Sequence, residues 1–287
     1  MWLPFLFFAC SAVSDPVLLI DPDPSIEAFA AGERGPYGAA LVETRAQARV
    51  TDAIQLDILY PATADGSVAL RGTPVVVFVH GGLVEPERYH WLPAYLATRG
   101  WTSVLPAADL ELAITEPGNS RVALDRLQEI SDDHDVLQGL VGADQPVVAM
   151  GHSLGGVMAA GHWATDDDVD ALVLLASFSA SFQPIEDATG PALALVGATD
   201  VFDWEELDSQ LARVSGPTDT ARVDGMNHYA WTDDATEGEL ASDGPQTRAV
   251  QDTRDDALRV LDTWLDVRLF GADDELLDGP FPGVEAP

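Results

Sequence analysis

Lysine is missing from this chain of 287 residues: its fourteen basic residues are all arginine, set against 48 aspartates and glutamates for a formal net charge of −34. A surface so poor in cations repels phosphate backbones and anionic headgroups, which argues against a nucleic-acid partner and leaves a covalent lipid as the route to a membrane. Cysteine occurs once, as Cys10, so no internal disulfide can form. Long apolar runs are missing as well, since no segment approaches the roughly 18 apolar residues of a membrane span. Metal-ligand spacings and phosphate-cradling loops are also wanting, so no cofactor is expected. What remains is ordinary globular composition, 47% hydrophobic and 22% charged, over a length that suits one large α/β domain.

The ends read differently from the middle. Residues 2–9 form a short apolar run that stops at Cys10, and polar sequence begins at Asp15, as in a secretory signal. Phe8-Ala9-Cys10-Ser11 resembles a bacterial lipobox, in which the cysteine is lipidated. Residues 1–12 are therefore expected to direct export, with the protein periplasmic, at the cell surface or lipid-anchored in a bacterium. Residues 13–36, rich in Asp-Pro and Gly, read as a tether, and the acidic 271–287 as a loose tail. Between them, 38–50 and 54–60 alternate apolar and polar, as in a half-exposed antiparallel pair. Solid apolar runs at 74–79, 101–105, 146–150, 170–176 and 191–197, with a further strand at 219–224, alternate with predicted helices at 88–99, 119–140, 154–164, 204–214 and 246–269. That alternation predicts a mostly parallel sheet with antiparallel leading strands and helices on both faces.

Gly151-His152-Ser153-Leu154-Gly155 follows a buried strand and opens a helix, the context that a G-x-S-x-G nucleophile turn requires. Small residues at 151 and 155 let strand and helix pass closely, which lifts the Ser153 hydroxyl above the sheet edge. A hydroxyl needs a base. Of six histidines, His80 and His152 sit in turns, and His90, His134 and His162 fall in predicted helices. Only His228 follows the last strand at its C-terminal end, where reactive groups gather in such sheets. The acid that orients it should end the strand before; Asp200 does so, and Asp203, three residues on, could substitute. Two backbone donors must meet a developing oxyanion. Leu154 N–H is one, and Gly82 in the His80-Gly81-Gly82-Leu83 turn is chosen over Leu83 for the other.

The order Ser153, Asp200, His228 is that of the α/β-hydrolases. The Ser153 turn, His80-Gly81-Gly82, Tyr60-Pro61-Ala62, Gly35-Pro36-Tyr37 and Gly225-Met226-Asn227-His228 together resemble that superfamily over about residues 35–268. Similar small bacterial members are those related to dienelactone hydrolase, chlorophyllase, platelet-activating-factor acetylhydrolase and cutinase-like polyester hydrolases, although a serine at 153 departs from the cysteine-using dienelactone enzymes. The resemblance implies an α/β-hydrolase fold and a serine hydrolase of carboxylic esters, acting on a small-molecule or lipid-like substrate. An amidase or peptidase with the same triad, and a catalytically silent binding protein, are the alternatives. Residues 177–190, where relatives insert a helical lid, are too few for a large one. Leu83, Phe178, Phe182, Tyr89, Trp91, Tyr229 and Trp231 are candidate cleft residues. The acidic runs 166–168 and 233–234 could hold a cation but suit solvated loops better. The role of Gln246 and Arg248 cannot be read.

Overall fold

The computed structural model describes residues 12–48, 53–107, 118–179, 184–201 and 204–285. Cys10, Phe182 and Asp203 lie outside them. Runs of apolar residues need cover on both faces, and the central strands obtain it: every residue of Val75–Val79 (β4) is buried. With β1 (Val17–Ile20), β2 (Gly38–Gln47), β3 (Ala53–Ala62), β5 (Thr102–Pro106), β6 (Val147–His152), β7 (Ala171–Leu175), β8 (Ala192–Gly197), β9 (Thr218–Val223) and β10 (Val284–Glu285) it forms one ten-stranded sheet. The order is β1-β2-β3-β5-β4-β6-β7-β8-β9-β10. β5, β4, β6, β7, β8 and β9 run parallel, while β1, β2 and β3 pair antiparallel at one edge and β10 at the other.

Among the described residues the α-helices are α1 (Trp91–Thr98), α2 (Asn119–Asp133), α3 (Leu154–Trp163), α4 (Trp204–Leu211), α5 (Glu237–Ala241) and α6 (Val250–Phe270). Strand alternation divides the core. Phe78, Met150 and Val173 meet Leu96 of α1 and Leu261 and Trp264 of α6. On the opposite face Val77 meets Leu127 and Ile130 of α2, and Ala149 and Leu174 meet Ala160 of α3 and Leu207 of α4. Register brings Val79 level with Gly151 and His152 level with Leu175, so these strands end together along one rim. Residues 176–191 join β7 to β8.

Three expectations need correction. Residues 13–36 are not a free tether: β1 pairs with β2, Ile20 packs on the core, and the Gly32 amide donates 2.7 Å to the buried Asp262 carboxylate. A strand of four residues is too short to display a period. Nor is the tail loose. Residues 274–278 form a short helix, Leu277 and Phe281 pack on the core, and β10 pairs with β9. The helix expected over 119–140 stops at Asp133, because His134 turns extended and its Nδ1 accepts the Val136 and Leu137 amides at 3.3 and 3.4 Å. Among the described residues no helix is long and apolar enough to cross a membrane.

Candidate active site

The turn from β6 into α3 is as tight as its glycines predict. A Cβ at Gly151 would overlap the Gly155 carbonyl, and one at Gly155 would overlap the Val79 carbonyl. Ser153 itself takes φ 53° and ψ −126°, a conformation that a non-glycine residue holds only when its surroundings force it. Those surroundings are visible. The Ser153 amide donates 3.1 Å to the Leu175 carbonyl, and Ser177 Oγ donates to the Ser153 carbonyl. Ser153 is half-buried at the start of α3, where the helix dipole favours developing negative charge.

The His80-Gly81-Gly82-Leu83 turn lies against this point. A Cβ built on Gly82 would come within 2.5 Å of Leu154 Cδ1, and one on Gly81 would lie 3.5 Å from Ser153 Cβ. Leu83 follows with φ 63° and is 67% exposed, an apolar side chain presented to solvent at the end of this turn. His80 Nδ1 donates 2.8 Å to the Gly81 carbonyl and stays buried within the turn.

His228 opens a short helical turn, His228–Trp231, after β9. Its ring lies 4.5 Å, centroid to centroid, from that of His152, the residue preceding Ser153. His228 Nδ1 faces Asp200, whose carboxylate oxygens stand 3.3 and 3.4 Å away; the Asp200 side chain is fully buried. These are long for N–H···O bonds. A proton on Nδ1, facing the carboxylate, leaves Nε2 with its lone pair. The two loops are tied directly as well, since the Thr199 amide and Oγ1 donate to the Met226 carbonyl at 3.1 and 2.8 Å.

The stretch that resisted assignment in the sequence cradles this histidine. The Asn227 amide donates 2.9 Å to Gln246 Oε1, and the His228 amide donates to Asp243 Oδ2. Arg248 donates 3.1 Å to the Asp224 carbonyl and pairs with Asp256. Two further arginines hold the far side of the loop. Arg254 of α6 donates to the Ala230 and Thr232 carbonyls and to Asp233, at 2.7, 2.9 and 2.8 Å, and lies 4.1 Å over the Trp91 ring. Arg88 donates 2.9 Å to the Asp233 carbonyl and grips Glu239 with two bonds of 2.8 and 2.9 Å, which holds that carboxyl down at about 2. No motif marks these residues, because an arginine in a helix usually points to solvent.

Of the cleft candidates, Tyr229 meets the His228 ring edge-on at 5.4 Å, and Phe178, next to Ser177, is partly buried against the core. Tyr89 and Trp231 are each 1% exposed and therefore line no cleft; they are core residues beneath the site. Trp91 is half-buried and donates 2.9 Å to the Trp231 carbonyl. Asp166 and Asp168 pair with Arg121, and Asp233 with Arg254. Among the described residues no three His, Cys, Asp or Glu side chains converge as metal ligands.

A family model described as the alpha/beta hydrolase family matches residues 75–251, well over half of the chain. That span runs from β4 into α6 and contains Gly82, Ser153, Asp200 and His228. No curated protein matches the chain significantly. With the elbow, the sheet order and this match in agreement, the chain belongs to the alpha/beta hydrolase family.

Proposed function

We propose that this hydrolase cleaves carboxylic esters through a covalent acyl-serine intermediate. Ser153 Oγ attacks the ester carbonyl while His228 Nε2 removes its proton, and the same imidazolium then protonates the leaving alkoxide. Asp200 keeps the second ring nitrogen protonated and steadies the charge that forms. The amides of Leu154 and Gly82 receive the oxyanion. Water, deprotonated by His228, then releases the acid. The chemistry needs no cofactor. The observation that carries this reading is the strained Ser153 at the head of α3, with the His228 ring packed on the adjoining His152 and its Nδ1 turned to a fully buried carboxylate.

The short β7–β8 connection and the exposed Leu83 support a small-molecule or lipid-like ester that reaches the serine from an open rim. A fluorophosphonate probe should label the protein, and labelling should vanish in Ser153→Ala. Hydrolysis of a p-nitrophenyl ester should fall in that variant by about 1,000-fold or more. A matching p-nitroanilide should turn over far more slowly than the ester in wild type. Undiminished labelling of Ser153→Ala would remove the serine from the mechanism.

A further inference from the structure

Beneath the site lies a set of buried polar contacts that the acyl-transfer scheme does not use. Tyr89 Oη stands 3.0 Å from the Gly81 amide nitrogen and 2.8 Å from His152 Nδ1; His152 Nε2 stands 3.1 Å from the His228 carbonyl oxygen. Tyr89 and His152 are each 1% exposed, so solvent cannot supply these bonds. Their direction is forced. A carbonyl oxygen only accepts, so His152 Nε2 carries the proton. Burial, and after it the neighbouring His228, hold His152 well below the ordinary histidine range, so the ring is neutral and Nδ1 is an acceptor. The tyrosine hydroxyl must then donate to Nδ1, and its oxygen is left to receive the Gly81 N–H.

Resting on the hydrolase reading above, we propose that Tyr89 and His152 are positioning residues. Through the directed chain Gly81 N–H to Tyr89 O–H to His152 to the His228 carbonyl, they set the oxyanion turn and the loop of the base in register about the Ser153 elbow. The three segments come from residues far apart in sequence, and His152 stands in the middle, its ring 5.6 Å from Tyr89 and 4.5 Å from His228. The chain acts on main-chain groups, the amide of the oxyanion turn and the carbonyl of the base. Asp200 acts on the ring of that base, a separate task. Packing alone would be met by phenylalanine at 89. The hydroxyl is required because a buried donor and a buried acceptor face each other there, and only a group that both gives and receives satisfies them.

The test compares Tyr89→Phe, His152→Leu and His152→Gln in the full chain, with Ser153→Ala as the control for the underlying reading. Tyr89→Phe and His152→Leu should lower kcat for a p-nitrophenyl ester about 10- to 100-fold, the scale of an ångström of misplacement, with KM changed less than about threefold. Inhibition by a trifluoromethyl ketone, whose adduct with Ser153 bears the same oxyanion, should weaken in parallel. His152→Gln, whose amide presents both a donor and an acceptor, should recover most of the loss. The double variant Tyr89→Phe/His152→Leu should lose no more than the worse single change, since both cut one chain. Retention of kcat and inhibitor affinity within about twofold alongside a lowered melting temperature would overturn the proposal, because a packing role predicts that result. His152→Gln as impaired as His152→Leu would overturn it too. Should one variant fail to fold, the other, read against His152→Gln, decides. Full activity in Ser153→Ala would sink the hydrolase reading itself; an inactive Ser153→Ala beside a normal Tyr89→Phe would sink only this one.

Discussion

Two acidic loops look alike in the sequence, residues 166–168 and residues 233–234, and each is held by an arginine. Arg121 pairs with Asp125, Asp166 and Asp168 while 45% of its side chain stays in water. Arg254 is 9% exposed, and two of its hydrogen bonds go to main-chain carbonyls of the loop that carries His228. The first arrangement joins charges that water would serve nearly as well. The second fixes the path of the backbone at the site, and water cannot replace it. Burial, together with the kind of partner, separates a solvated ion pair from a structural clamp.

The comparison can be broken most severely at Arg254. Arg254→Ala strands two buried carbonyls and bares the Trp91 face, so unfolding in urea should show a loss of about 3 kcal/mol. With the His228 loop released, kcat for an ester should fall about tenfold. An unchanged kcat would place the clamp outside the site's needs.

A second measurement extends the rule to a carboxylate. Asp262 is buried between Arg99, Tyr95 and the Gly32 amide, and burial above all pushes its carboxyl up to about 6 from 3.8. The folded state therefore binds the proton more tightly than the unfolded chain. That stabilisation is complete below about pH 4 and disappears as pH rises through about 6. Relative to Asp262→Asn, wild type should lose about 2–3 kcal/mol of unfolding free energy between pH 4 and 7. A constant difference across that range would refute the buried, raised carboxyl. The smallest effect belongs to Arg121→Ala: about 0.5 kcal/mol, shrinking further in 0.5 M salt, with kcat unaltered.

How far the sequence could be read follows from the range of the interactions concerned. The Ser153 elbow was legible because its constraint is local: two glycines and a tight turn, all within five residues, leave few alternatives. The parallel sheet was legible because Val75–Val79 and its neighbours are apolar throughout, which only burial on both faces explains. Elimination along the chain order singled out His228, whose ring the structure sets against His152 and Asp200. Asp243, Gln246, Arg88 and Arg254 were not reached, since each acts through a backbone group tens or hundreds of residues away and no spacing records that. Tyr89 was misjudged for the same reason. An aromatic residue near a catalytic turn reads as a cleft wall until the fold shows its hydroxyl pointing down, to His152. The strand at Val17–Ile20 was hidden by its brevity, its pairing partners lying about twenty residues on.

The sheet's edges have a practical consequence for engineering. β1 and β10, each short, occupy opposite margins of a ten-stranded array. At about 4.8 Å per strand they are separated by roughly 43 Å measured along the sheet. A flexible glycine-serine segment joining β10 directly to β1 would have to cover that span: about 60 residues match it as a relaxed coil, whereas fewer than about a dozen could not reach even when fully extended.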